Sequence, residues 1–94
     1  MINEKKCYRL FVGSDNLTKH LNAKLIKEIT NKHFKGFNFQ KSSGFWKGKE
    51  EKNAIIEIDD AEQDKINLLA SELKTSLNQE AILIQQFNAN IQFF

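Results

Sequence analysis

Apolar and polar positions follow two different periods along the chain, and the first of them is typical of a strand. Cys7–Val12 is rich in aromatic and β-branched residues, which favour extended backbone. The turn-forming residues Gly13–Asn16 come directly after it. This pattern predicts a first strand followed by a turn.

The next segment, Thr18–His33, has a helical period instead. Its leucines and isoleucines recur every three to four positions, and its lysines fall on the opposite side. We expect an amphipathic helix that is capped by Asn16 or Thr18 and ends near Gly36.

A hairpin is predicted in the middle of the chain. Phe37–Lys41 alternates apolar and polar residues, and Gly44 interrupts the pattern, which is typical of a bulge or bend. Asn53–Ile58 resumes a β pattern after the charged segment Gly48–Lys52. We therefore expect a second and a third strand, with Gly48–Lys52 as the tip between them.

The last third of the chain repeats the order of helix and strand. Asp59 and Asp60 suit the start of a second helix, because acidic side chains offset the positive end of the helix dipole. Ala81–Gln86 predicts a fourth strand, and Ile91–Phe94 a short final strand or extension. The buried stripe of the second helix is expected to be Ile66, Leu69, Ala70, Leu73 and Leu77.

The predicted order is β-α-β-β-α-β in a single domain over residues 1–94, with an extra C-terminal strand. This order is that of a ferredoxin-like α+β sandwich, in which two helices cover one face of an antiparallel sheet. The other face is left to water or to a partner. With eight Phe, one Trp and one Tyr in the chain, aromatic side chains are expected there, and we predict a homodimer.

Charge is distributed unevenly although the net charge is only +2. Residues 1–52 carry twelve Lys or Arg against five Asp or Glu, and residues 53–94 carry two against seven. Such asymmetry favours an anion-binding face or a complementary protein surface, and it is equally compatible with a solvated lysine face.

Cysteine and hydropathy indicate the compartment. Cys7 has no second cysteine to pair with, which favours a reducing environment. The first residues are charged, and no apolar run approaches the length of a membrane span. We expect a cytoplasmic protein without membrane association, in the host cytoplasm if it is encoded by a phage.

The hairpin is the most unusual stretch chemically. It joins Gly44, the only tryptophan, Trp46, and the charged residues Lys47, Lys49 and Glu50. An indole can stack on a base, lysines can contact phosphates and a glutamate can accept ribose hydroxyls. We predict a binding site for a small anionic, nucleotide-like ligand, and the alternative is a core tryptophan beside an ordinary charged tip.

Two further elements are candidates for the same site. Arg9 and Phe11 fall on the open face of the sheet if Leu10 faces the helices, where Arg9 suits an anion or a dimer salt bridge. Gly13–Asn16 precedes a helix and is a weak anion-site candidate, for which turn and cap chemistry is the better interpretation.

Catalytic and metal-binding motifs are not recognised. The serines occur in no nucleophile elbow, and His20 and His33 have no ligand neighbour at metal-binding spacing. We therefore expect a protein that is not an enzyme and has no cofactor.

Short motifs resemble those of small uncharacterised bacterial and phage proteins. They are Phe34–Phe37, Gly44–Lys47 and Asn78–Leu83, which match an F-x-G-F/L-T core, a G-x-W-R/K turn and a Q-E-x-V-L strand entry. Asn38 stands where that pattern has threonine. The resemblance implies a dimeric ferredoxin-like fold without an established activity, whose recurrent positions are Gly36, Gly44, Trp46, Lys47, Gln79 and Glu80.

Together these features predict a non-enzymatic ligand-binding protein. By analogy with phage proteins of similar size, the ligand would be a nucleotide-derived immune signal such as an ADP-ribose conjugate, and sequestration would serve anti-defence. The first alternative is a protein-interaction module that docks through the open sheet face. Nucleic-acid binding is less favoured because the RNP1 motif is absent and net charge is small, and an enzyme comes last.

Overall fold

Four strands form one antiparallel sheet, in which the strands counted along the chain stand in the order second, third, first and fourth, and two helices cover one of its faces. The computed structural model describes residues 4–94, with the side chain of Trp46 excepted. The elements are β1 (Glu4–Gly13), α1 (Ala23–His33), β2 (Asn38–Trp46), β3 (Lys49–Ile58), α2 (Gln63–Ser76) and β4 (Leu83–Asn90). This confirms the ferredoxin-like α+β fold.

The core lies between the helices and alternate residues of the two central strands. Tyr8, Leu10 and Val12 of β1 are fully buried. The register places them opposite three buried residues of β3, so one face of the sheet is covered by the helices. The predicted stripe of α2 is confirmed, because all of its members are buried: Ile66, Leu69, Ala70, Leu73 and Leu77.

Helix α1 begins at Ala23, five residues later than predicted from Thr18. Asp15 causes the delay, because its Oδ1 accepts hydrogen bonds from the backbone N–H of Leu17 at 2.7 Å and Thr18 at 3.1 Å. These bonds hold the segment in a turn, where short polar side chains compete with helix formation. Asn22 is the actual N-cap, and its side chain accepts from the N–H of Leu25.

The β2–β3 hairpin is tighter than predicted. The ladder continues without a bulge through Gly44, which pairs with Glu51, and the turn consists only of Lys47 and Gly48. Both turn residues have positive φ, 50° and 79°, as in the two-residue turns whose twist matches that of a hairpin. The predicted charged tip therefore belongs mostly to strand β3.

The C-terminal third of the structure also differs in detail from the prediction. Helix α2 begins at Gln63, after Asp59 and Asp60, and β4 continues through Asn88–Asn90, where a break was expected. Ile91–Phe94 has no regular secondary structure and is an extension rather than an extra C-terminal strand. Neither described helix is long and apolar enough to cross a membrane.

Candidate functional site

Three loops that are distant in sequence meet at one end of the sheet. They are the β1–α1 loop, the β2–β3 hairpin and the α2–β4 loop, and they enclose a concavity of about 570 Å³. We call it the loop-end pocket. Its lining consists of Gly13, Ser14, Asp15, Asn16, Lys19, His20, Leu21, Glu50, Glu51, Lys52 and Gln79.

Side chain to backbone hydrogen bonds hold these loops together. The Gln79 amide donates to the carbonyl of Ser14 at 2.6 Å, and the Asn16 amide donates to the carbonyl of Asn78 at 2.6 Å. The Ser14 hydroxyl donates to the carbonyl of Lys52 at 3.1 Å. These three loops are therefore tied to one another by hydrogen bonds from neutral side chains to backbone carbonyls, which we call the frame of the pocket.

Asp15 belongs to this frame as well. The backbone N–H groups of Thr18 and Leu17 lower the pKa of its carboxyl, and the amide of Asn78 contributes in the same direction. Asp15 is therefore ionised at neutral pH, with its oxygens occupied by the turn. This confirms turn chemistry as the main role of Gly13–Asn16.

The charged groups that β3 contributes to the pocket differ from Asp15 in their pairing. Glu50 and Lys52 project on the same side of β3 as buried Ala54, toward the helix layer. Within the described part of the chain, Glu50, Glu51 and Lys52 form no ion pair or side-chain hydrogen bond with one another or with other residues. The lining has three carboxylates and two lysines, Lys19 and Lys52, so its formal charge is −1 with His20 neutral.

The open face of the sheet holds a second, differently organised concavity. Arg9 donates from Nε to Glu57 at 3.0 Å, and its guanidinium carbon lies 4.6 Å from the centre of the Phe87 ring. Arg9, Phe11, Asn38, Phe39, Gln40, Ile55 and Glu57 line a space of about 440 Å³, the open-face concavity. The only arginine of the chain is thus already paired and stacked.

The predicted ligand-binding residues separate into two groups. Arg9 and Phe11 lie on the open face, as predicted, whereas the others belong to the hairpin: Gly44, Trp46, Lys47, Lys49 and Glu50. Glu57, opposite Arg9, is eight positions from Lys49 along β3, or roughly 27 Å at about 3.4 Å per residue. Among the members of this set that the structure describes in full, only Glu50 lines the loop-end pocket. The Trp46 side chain is outside the described part, and ligand binding by these residues stays a prediction.

Sequence reasoning missed most of the pocket. Lys19, His20, Lys52 and Gln79 come from three separate segments, and no local motif connects them. The available signals were indirect: Gln79 was a recurrent position of the family resemblance, and the turn cluster Gly13–Asn16 was only a weak site candidate. Among the described residues no group of three His, Cys, Asp or Glu could hold a metal ion.

The fold resembles that of a phage enzyme. The solved structure of a phage SAM lyase in the apo state superposes with a TM-score of 0.70 and 17% sequence identity, covering 98% of this chain and 94% of that chain. A de novo designed protein, Foldit4, gives a TM-score of 0.46 at 13% identity, covering 95% and 98% of the two chains. No protein-family model and no curated protein sequence matches the chain.

The likeness contradicts the expectation that the protein is not an enzyme. That expectation rested on the absence of nucleophile and metal motifs. In a lyase, however, an electron pair of the substrate itself can displace the leaving group, so neither a protein nucleophile nor a metal ion is required. The missing motifs therefore excluded less chemistry than we assumed. At this level of identity the likeness establishes the shared fold, and it connects that fold with a phage protein.

Proposed function

We propose that the protein is a lyase that cleaves S-adenosylmethionine. The observation that carries the proposal is the likeness to a phage SAM lyase over almost the full length of both chains. The loop-end pocket supports it independently, because two of its carboxylates have no partner among the described residues and lie in the same lining as two lysines. Like the nucleotide-like ligand predicted from the sequence, S-adenosylmethionine contains a nucleoside, but it carries a sulfonium amino acid where that ligand would carry phosphates.

The charges of the pocket suit this ligand. S-adenosylmethionine has a sulfonium and an ammonium group against one carboxylate, so it is a net cation, and the lining has a formal charge of −1. In the proposed arrangement Glu50 accepts the ribose hydroxyls or faces the sulfonium, and Glu51, which also lines the pocket, adds negative charge beside it. Lys19 or Lys52 pairs with the substrate carboxylate.

The reaction needs the protein for orientation more than for a covalent step. A carbon–sulfur bond of the sulfonium breaks, its electron pair stays on sulfur, and a neutral thioether leaves. The carbon fragment closes with an electron pair from the substrate itself, so no water is consumed. The loop frame would contribute by holding the reacting groups in line.

Mass spectrometry of the reaction products tests the proposal. The purified protein is incubated with S-adenosylmethionine, and we expect a thioether and a second fragment whose masses sum to that of the substrate. S-adenosylhomocysteine, which lacks the sulfonium, should remain intact. Intact S-adenosylmethionine after prolonged incubation would overturn the proposal, and ¹⁸O from labelled water in the first-formed products would indicate hydrolysis instead.

We further propose that this activity serves phage anti-defence in the host cytoplasm, where it would deplete the methyl donor of host methyltransferases. Expression in a bacterial host should then lower the cellular S-adenosylmethionine pool, and the pocket variant Glu50→Gln/Glu51→Gln should not. An unchanged pool with the active protein would count against this role.

Exposed apolar side chains support self-association, which we retain as a proposal. Leu83 is 58% exposed and Phe93 is 97% exposed, so apolar surface remains on β4 and the extension after it. Light scattering after size-exclusion chromatography should give twice the mass of 10.9 kDa. A monomer at all concentrations would contradict the predicted homodimer.

A further inference from the structure

The β2–β3 hairpin extends beyond the rest of the sheet as a two-stranded ribbon. β1 pairs with β3 only as far as Asn53, opposite Gly13. Beyond that point Ser43–Trp46 pairs with Lys49–Lys52 and has no third strand beside it. The tight turn at Lys47 and Gly48 fixes the register of this ribbon.

One side of the ribbon continues the loop-end pocket. Side chains two apart share a face, so Phe45 lies on the same face of β2 as Phe39, which is six residues away along the strand and packs against the core. Between them, Lys41 and Ser43 line a shallow groove of about 330 Å³. That groove shares Leu21 and Lys52 with the loop-end pocket, so the two adjoin, and we call them together the cleft.

Phe45 is unusually placed for a large apolar residue. Its side chain is 74% exposed although it belongs to a regular strand. It pairs directly with Glu50, which lines the loop-end pocket, and directly opposed Cβ atoms lie about 5 Å apart. Among the side chains that the structure describes, the pocket lining contains no Phe, Tyr or Trp, and Phe45 is a described aromatic side chain next to its carboxylates.

We propose that Phe45 is the stacking platform for the purine ring of the ligand, with Glu50 beside it accepting the ribose hydroxyls. This inference rests on the proposed function and assigns the nucleoside end of the substrate to the ribbon. A purine stacks on an aromatic face with useful affinity whatever its ring substituents. The amino-acid end then lies in the loop-end pocket, near Lys19 and Lys52.

Two partial ligands separate the two ends of the cleft. 5′-Methylthioadenosine carries the purine and ribose without the amino acid, and S-methylmethionine carries the sulfonium amino acid without the nucleoside. Phe45→Ala should weaken binding of the first, measured by calorimetry, by about tenfold or more, and should leave binding of the second within about twofold. Phe45→Trp should retain both affinities, and the matched control Leu68→Ala, which removes an apolar side chain 63% exposed on α2, should change neither.

Several results would overturn the inference. Binding of 5′-methylthioadenosine that is unchanged in Phe45→Ala would exclude stacking, and an equal loss for both probes would indicate a distorted hairpin instead. A wild-type protein that binds neither probe would also refute it. Failure of this inference can be told apart from failure of the lyase proposal. If the protein leaves S-adenosylmethionine intact but binds 5′-methylthioadenosine through Phe45, only the proposed catalytic activity is refuted.

Discussion

The loop-end pocket and the open-face concavity contain similar kinds of charged groups and differ in how these groups are used. On the open face, Arg9 and Glu57 neutralise each other, and Phe87 stacks on the guanidinium. At the loop end, backbone groups and amides hold the frame, and Glu50 and Glu51 stay unpaired within the described chain. This difference is why the proposed ligand site is assigned to the loop end, where the charged groups of β3 are available to a ligand, and not to the arginine of the open face.

The largest expected effect comes from removing the unpaired carboxylates. Glu50→Gln/Glu51→Gln should lower kcat/KM for S-adenosylmethionine by about 100-fold, because the proposed acceptor Glu50 and the adjacent negative charge of Glu51 are both neutralised. Steady-state kinetics measures it, with the exposed pair Glu28→Gln/Glu62→Gln as a matched control. A greater loss from Arg9→Gln than from the pocket variant would move the site to the open face.

The hydrogen bonds that hold the loops of the pocket together should also contribute to the stability of the protein. Gln79→Ala removes the donors to the carbonyls of Ser14 and Leu77, of which the first is only 2.6 Å away. We expect the free energy of unfolding to fall by about 1–2 kcal/mol. Urea unfolding measures it, and the exposed Gln86→Ala of β4 should stay within about 0.5 kcal/mol of the wild type. Equal losses would show that Gln79 is not a structural tie.

The open-face pair should contribute less than the frame. The Arg9 and Glu57 side chains are 44% and 30% exposed, so solvent screens their attraction. A double-mutant cycle with Arg9→Gln and Glu57→Gln should give a coupling free energy of about 0.2–1 kcal/mol. A coupling above about 2 kcal/mol would indicate a desolvated pair and make the two regions more alike.

The smallest effect should be a change in pH dependence from Asp15. Because the pKa of its carboxyl is lowered in the folded protein, the unfolded state binds the proton first on acidification. The stabilisation is therefore complete above the ordinary aspartate pKa of about 3.9 and is lost as pH falls through the folded value. Asp15→Asn keeps an acceptor for Leu17 and Thr18 without the charge, so its stability deficit should shrink below about pH 4. A deficit that stays constant on acidification would contradict this.

The core and the topology could be predicted from the sequence because they follow from periodicity. The stripe from Ile66 to Leu77 and the alternation around Leu10 each depend on residues close together in the chain. The predicted start of α1 was wrong because the hydrogen bonds of a single side chain, that of Asp15, override the helical pattern before it. The position of the turn at Lys47 was not predicted, because lysine is not a residue type that indicates a turn with positive φ.

The candidate site was harder to predict from the sequence than the fold, for a related reason. The pocket depends on contacts between residues such as Ser14 and Gln79, which are 65 positions apart, and only the fold brings them together. The sequence identified the hairpin as chemically unusual and indicated Glu50, which lines the loop-end pocket. Its prediction of Trp46 as the aromatic group stays a prediction, because that side chain is outside the described part, and the stacking role proposed for Phe45 rests on the register, which pairs Phe45 with Glu50.

The central position of β1 has a consequence for how the protein acquires its fold during synthesis. β1 is the first strand to leave the ribosome, but its two neighbours in the sheet are Lys49–Ile58 and Leu83–Asn90. Its second edge therefore cannot be paired until β4 has emerged. Because such long-range pairing is slow, we expect the β2–β3 hairpin to form first on the nascent chain and the complete sheet to close only after translation has passed Asn90.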